Sequence, residues 1–153
     1  MEKLTITQDE FEWMGRNFKL LDFINVRTPE ELQVQVPSLT LTRYKKGEKI
    51  IVEGELGGDM YILYRGALSV RRPAWLFTKE IARLSPGDFF GEVSFMVQRA
   101  RTATIQAAET SDVFCFGAAD MQAIYDGNPR LAAQLAALVK DRTRKLRSDN
   151  EAR

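Results

Sequence analysis

The spacing of hydrophobic positions changes twice along the chain, dividing it into helical, strand-rich and helical stretches. Near the start, Thr7-Gln8-Asp9-Glu10 has the spacing of a capping box and predicts a short helix carrying Phe11, Trp13 and Met14. Thr28-Pro29-Glu30-Glu31 repeats the signal, with proline at the first helical position. Between them, Phe18 to Ile24 reads as a helix or a packed turn. From Leu39 to Phe116 short β-branched and aromatic runs alternate with turn residues such as Lys46-Gly47-Glu48, Gly57-Gly58-Asp59, Arg65-Gly66 and Ser85-Pro86-Gly87-Asp88. About eight strands are predicted, spaced as in an all-β sandwich or barrel. The stretch from Glu92 to Val97 is too short for a free-standing helix and reads as one turn lodged between two strands. After Phe116 the helical period returns. Ala118 to Asp126 predicts one helix, stopped at Gly127. Asn128-Pro129 then opens a longer one with Leu131, Leu135, Leu138, Val139, Arg142 and Leu146 along one face.

The expected organisation is an N-terminal helical segment over 1–37, a β-barrel over 38–117, two C-terminal helices over 118–147 and a frayed tail over 148–153. A length of 153 residues suits one domain of this kind. Hydrophobic content of 44% and charged content of 28% are those of a soluble globular protein, and a net charge of +1 argues neither for nor against nucleic acid.

The chain has no histidine, which removes the commonest general base and the commonest zinc and iron ligand. Serine, threonine and cysteine nucleophiles lack an identifiable base, so no catalytic residue, no metal and no enzymatic activity are expected. The single cysteine, Cys115, excludes an intrachain disulfide and lies in the apolar run Val113-Phe114-Cys115-Phe116, where it reads as a small buried hydrophobe. The N-terminus has no signal-peptide core, and no run approaches the ~18 apolar residues of a membrane span. A cytoplasmic protein with no membrane contact is expected. Trp75, beside Arg71, Arg72 and Pro73, is placed in a surface hairpin in a packing role. The cluster Lys140, Arg142, Arg144, Lys145 and Arg147 reads as a solvated helix end rather than a nucleic-acid patch.

The candidate chemistry sits in Phe90-Gly91-Glu92-Val93-Ser94-Phe95 and Arg101-Thr102-Ala103-Thr104. These segments set a carboxylate and a guanidinium inside core-forming sequence, where an unpartnered charge costs several kcal/mol. Either Glu92 and Arg101 neutralise each other, or they await a ligand carrying both hydroxyls and an anion.

The same residues resemble the phosphate-binding cassette of cyclic nucleotide-binding domains. Phe90 to Phe95 is similar to the family's F-G-E-x-[small]-[apolar] opening, and Arg101 to Thr104 to its R-[AST]-A-[TS] close. Gly58-Asp59-Met60-Tyr61-Ile62-Leu63 with Gly66 resembles its G-D-x-[FY]-[apolar] strand and following turn. The likeness covers Leu20 to Val139, and the helix–barrel–helix frame agrees with it. It implies a mainly β, α+β fold: an eight-stranded jelly-roll β-barrel flanked by N-terminal helices and two C-terminal helices. Arginine's planar fork matches the two oxygens of a cyclic phosphate. Backbone N–H groups at a helix start, at Val93 and Ser94, face the same anion. Glycine at 91 lets the chain approach the sugar without a Cβ.

By resemblance, Glu92 accepts from the ribose 2′-hydroxyl, Arg101 holds the cyclic phosphate, Ser94 and Thr102 add contacts, and Asp59 orients Arg101. The implied ligand is cAMP or cGMP, with no further cofactor. Thr102 is a hint of cGMP, whereas cAMP is the commoner ligand of small bacterial-type domains and is favoured. The last helix supplies the lid in relatives. Here Leu138, Val139 and Arg142 are the candidates, although the same apolar stripe also suits barrel packing or a homodimer seam. A DNA-binding reading of the catabolite-activator type is set aside, because only about seven residues follow Leu146. The expectation is a stand-alone sensor acting on an unidentified effector protein through its C-terminal helix. The alternative is an interaction module with a vestigial pocket.

Overall fold

The computed structural model describes residues 1–18, 21, 24–91, 100–131, 133, 134 and 137. Among them, nine strands form two antiparallel sheets. The first runs in the order β1 (Glu2–Leu4), β2 (Thr40–Tyr44), β9 (Ser111–Phe116), β4 (Met60–Arg65) and β7 (Phe89–Phe90). The second runs β3 (Lys49–Ile51), β8 (Thr104–Ala107), β5 (Leu68–Ala74) and β6 (Phe77–Leu84). Helices α1 (Gln8–Asn17) and α2 (Pro29–Gln35) precede the main body of strands, and α3 (Ala118–Gly127) follows β9. The mainly β architecture with flanking helices matches the sequence expectation, but the sheets form a two-sheet roll rather than a closed barrel, with nine strands among the described residues where eight were expected.

The helix starts follow from local chemistry. At α1 the Glu10 carboxylate accepts from the Thr7 backbone N–H at 2.9 Å, closing the capping box. At α2 the Thr28 hydroxyl accepts from the Glu31 N–H at 3.1 Å, with Pro29 in the first turn. Helix α3 ends at Gly127, where the Asn128 side chain donates to the Ile124 carbonyl at 2.8 Å. Helical backbone resumes at 129, and Leu131 is buried. The remaining expected stripe residues, Leu135, Leu138, Val139, Arg142 and Leu146, lie outside the described residues, as do the basic cluster and the tail.

Two apolar clusters hold the layers together. One joins Met14, Leu32, Val36, Leu41, Met60, Ile62, Phe114, Phe116 and Met121, packing the three helices on the outer face of the five-stranded sheet. The other joins Ile51, Leu63, Leu68, Val70, Ile81, Ile105 and Val113 between the two sheets. Alternate residues of β4 and β9 therefore face opposite clusters, which is why Met60 to Tyr64 and Val113 to Phe116 read as continuous apolar runs. Trp13 lies over Phe114 at 6.0 Å between ring centroids and meets Tyr64 edge-on at 4.9 Å, anchoring α1. Arg43 and Asp112 are cross-strand partners on β2 and β9. The guanidinium meets the buried carboxylate at 2.8 and 3.1 Å.

Two features depart from the sequence reading. Residues 2–4 form an edge strand on β2, with Lys3 opposite Thr42, inside the segment expected to be helical. Trp75 does sit in a surface hairpin, between β5 and β6, but the packing role is wrong: its side chain is 93% exposed. It occupies the first position of a two-residue loop at φ 52°, in the left-handed region that glycine or asparagine normally fills.

Candidate functional site

Arg101 enters the site from the short segment that leads into β8. Its backbone is locked on both sides: its N–H donates to the Glu55 carbonyl and its carbonyl accepts from the Gly54 N–H, each at 2.9 Å. The side chain is only 7% exposed. Nη1 donates to the Gly91 carbonyl at 2.9 Å and Nη2 to the Asp59 carbonyl at 3.2 Å. Among the described residues it forms no ion pair with a carboxylate. Two of five guanidinium donors are thus used on neutral carbonyls, and among the described residues the other N–H groups of this buried charge have no partner.

Two glycines make room for that guanidinium. A Cβ at Gly57 would lie 2.6 Å from both Nε and Nη2 of Arg101, closer than real contacts permit. At Gly91 a Cβ would meet the Asp59 carbonyl at 2.6 Å and Nη1 at 2.9 Å, and φ there is 85°. Position 91 therefore requires glycine for backbone conformation and space alike. Tyr61 flanks the group, with its ring centroid 6.0 Å from Cζ of Arg101, and stacks on Phe90 at 5.0 Å.

Asp59 serves two elements at once. Its main-chain carbonyl takes Arg101, while its carboxylate accepts from the Ala118 N–H at 3.1 Å, at the first residue of α3. The contact with Arg101 thus runs through the backbone rather than the acid. Next to it, a Cβ at Gly58 would lie 2.8 Å from that of Ala118, so the 57–59 loop is wedged between Arg101 and the start of α3. Cys115 lies beneath. Burial, then the Asp59 charge, pushes its thiol up to about 11, so it is neutral and unreactive at physiological pH. Burial also raises the Tyr61 hydroxyl well above its ordinary value.

Of the residues singled out in the sequence, Gly91, Arg101 and Asp59 converge within hydrogen-bonding distance. Thr102 is exposed beside Arg101. Glu92, Val93 and Ser94 lie outside the described residues, as do the lid candidates Leu138, Val139 and Arg142. Gly57 and Tyr61 were not anticipated as neighbours of the guanidinium. The Gly57-Gly58 doublet was the available signal, since paired glycines ahead of a strand mark close backbone approach. Among the described residues no group of three or more His, Cys, Asp or Glu could hold a metal ion. A surface groove lined by Asn25, Arg27, Glu30, Glu31, Val34 and Gln35 shares no residue with this site.

Similarity to known proteins follows the same residues. Residues 41–128 match the family model described as the cyclic nucleotide-binding domain. Over 75 residues, 49% of the chain, it is 36% identical to a cAMP-dependent protein kinase regulatory subunit of Mycosarcoma maydis. Over 118 residues, 76% of the chain, it is 30% identical to the cyclic AMP receptor protein of Thermus thermophilus. It spans 14% of the first relative's length and 54% of the second's. Among solved structures, the catabolite activator protein of Thermus thermophilus superposes with a TM-score of 0.67 at 26% identity, covering 85% of this chain and 62% of that one. The matched segment carries every strand but β1 and the first residue of β2, together with Gly91, Arg101 and α3, and the chain belongs to the cyclic nucleotide-binding domain family.

Proposed function

We propose that the chain is a sensor domain for a cyclic nucleotide, cAMP or cGMP, that signals to a partner protein through its C-terminal helices. The observation that carries this reading is Arg101: buried, held by two carbonyls and short of a counter-ion among the described residues. A cyclic phosphate supplies the missing negative charge and accepts the spare N–H groups, an interaction stronger than a neutral hydrogen bond. In this reading Glu92 accepts from the ribose 2′-hydroxyl, backbone N–H groups at Val93 and Ser94 join Arg101 on the phosphate, and Gly91 admits the sugar. Thr102, exposed and next in sequence to Arg101, adds its hydroxyl to the ligand contacts in this reading. Leu138, Val139 and Arg142 are the candidates to close over the base, with barrel packing or a homodimer seam as the alternative use of that stripe. The two relatives are named for cAMP, which favours cAMP over cGMP here.

Asp59 supplies the route outward. An anion drawing the guanidinium toward itself weakens the Nη2 bond to the residue 59 carbonyl, and the carboxylate of that same residue caps α3. A shift of the 57–59 loop is then felt at Ala118, which it touches. Ligand binding biases the position of the C-terminal helices in proportion to its preference for one of their arrangements. The role is regulatory rather than enzymatic: the described site offers a binding cation and a neutral thiol without a base. Calorimetric titration with cAMP and with cGMP tests the reading. Saturable heat from at least one nucleotide is expected, and silence from both at high micromolar protein would overturn it in favour of a vestigial pocket.

A further inference from the structure

The β5–β6 hairpin ends in three consecutive exposed hydrophobic residues: Trp75 at 93%, Leu76 at 86% and Phe77 at 69% exposure. They cap a two-residue loop between paired Ala74 and Phe77, so they form a convex tip and not a groove. Behind the tip, Arg72 and Lys79 make the hairpin basic, with no acidic residue from 72 to 79, whereas Arg71 one step further back has Glu80 as its cross-strand partner. Arg72 and Lys79 are cross-strand partners. At ~3.3 Å per residue they stand roughly 10 Å behind Trp75 and Leu76. Arg71 is pinned to the same hairpin, donating to the Thr78 hydroxyl at 2.9 Å and carbonyl at 3.0 Å. Among the described residues, Arg72 has a loose contact with Glu53, at 3.8 Å.

From this arrangement we infer that the hairpin tip docks on an anionic lipid surface. Interfacial apolar groups insert to about 5–10 Å, and this depth places the cations at the level of the lipid phosphates. Tryptophan and phenylalanine suit the headgroup boundary, where an apolar ring meets polar surroundings. Each cation near an acidic leaflet adds about fivefold to partition. Trp75 held at φ 52°, where glycine would sit without strain, is consistent with a side chain retained for contact with something outside the chain. No membrane-spanning helix is needed, and none is found among the described residues. The earlier expectation of no membrane contact rested on spans alone, so a peripheral tip lies beyond it.

Co-sedimentation with vesicles of phosphatidylcholine and phosphatidylserine in equal parts, against phosphatidylcholine alone, tests the inference. The wild-type chain is expected to pellet with the acidic vesicles, less so as salt is raised, with a blue shift of tryptophan emission. Trp75→Phe should keep the pelleting and lose the shift. Trp75→Ser/Leu76→Ser/Phe77→Ser should lose at least tenfold in partition with an unchanged circular dichroism spectrum, and Arg72→Glu/Lys79→Glu should lose at least as much. Failure to pellet with acidic vesicles, or equal pelleting by the serine variant, would overturn it. So would self-association in sedimentation velocity, or capture of a soluble protein, that the serine variant abolishes while lipid binding stays absent.

Discussion

At the scale of single residues, the environment of Arg101 makes a chemical demand that the described chain does not meet. A guanidinium this buried normally faces a carboxylate, yet here its partners among the described residues are the carbonyls of Gly91 and Asp59. Gly57 is the residue that fixes its pose. Gly57→Ala inserts a methyl 2.6 Å from Nε and Nη2, so the fork must swing away from its present position, the one from which the proposed function has it hold a phosphate. A loss of about tenfold or more in nucleotide affinity is expected by calorimetry. Gly127→Ala, where a Cβ meets nothing within 4 Å, should change nothing. Equal affinity in the Gly57 variant would show that the pose of Arg101 is not constrained from that side. The sequence suggested glycine at 91 for access to a sugar. Structurally, a positive φ and the Asp59 carbonyl demand it even before a ligand arrives.

Cys115 provides a pH signature of the same region. Burial and the neighbouring Asp59 raise its thiol from the ordinary 9.0 to about 11. Its folded pKa lies above the unfolded one, so the native state holds the proton longer. The stability this contributes is complete below pH 9 and is lost as pH rises toward 11. The rate of iodoacetamide alkylation should accordingly inflect near pH 11 in the native protein and near 9 in urea. A native inflection near 9 would place the thiol in solvent.

At the scale of elements, what was legible in the sequence is what local chemistry determines. The Thr7–Glu10 and Thr28–Glu31 signals specify helix starts because the capping oxygen and the orphan N–H groups lie within one turn. Strand β1 was invisible for the opposite reason: three residues acquire their conformation only by pairing with Thr42 and its neighbours, about forty positions away. Strand β9 read correctly as a strand, but its two buried faces could be assigned only once both layers were present. Phe114 lies at the centre of the helix-facing layer, fully buried against Trp13 and Tyr64. Phe114→Ala should cost about 3–5 kcal/mol in urea unfolding. Phe77→Ala, on the exposed hairpin, should stay within about 0.5 kcal/mol. A small loss at Phe114 would mean that α1 does not depend on this contact.

At the scale of the whole molecule, the loop between β3 and β4 is where Arg101 and the start of α3 meet. Arg101 leans on Gly57, α3 abuts Gly58, and Asp59 bonds to both through different oxygens. The motif Gly58-Asp59 made Asp59 a candidate, but a sequence does not say whether a residue acts through its carboxylate or its carbonyl. The family could be read from ordered motifs spread over the chain, because the ligand's charge and hydroxyls dictate which residue types face it. The base could not, since nothing but Thr102 and an apolar stripe bears on it.

The central claim, that Arg101 is the cation for a cyclic phosphate, is tested most directly by titrating wild type and Arg101→Ala with cAMP under one set of conditions, with thermal melts to confirm that both are folded. The account predicts saturable binding by the wild type and a loss of about 2–4 kcal/mol of binding free energy in the variant, the cost of removing a buried charge pair. A folded Arg101→Ala variant that binds cAMP as tightly as the wild type would contradict it.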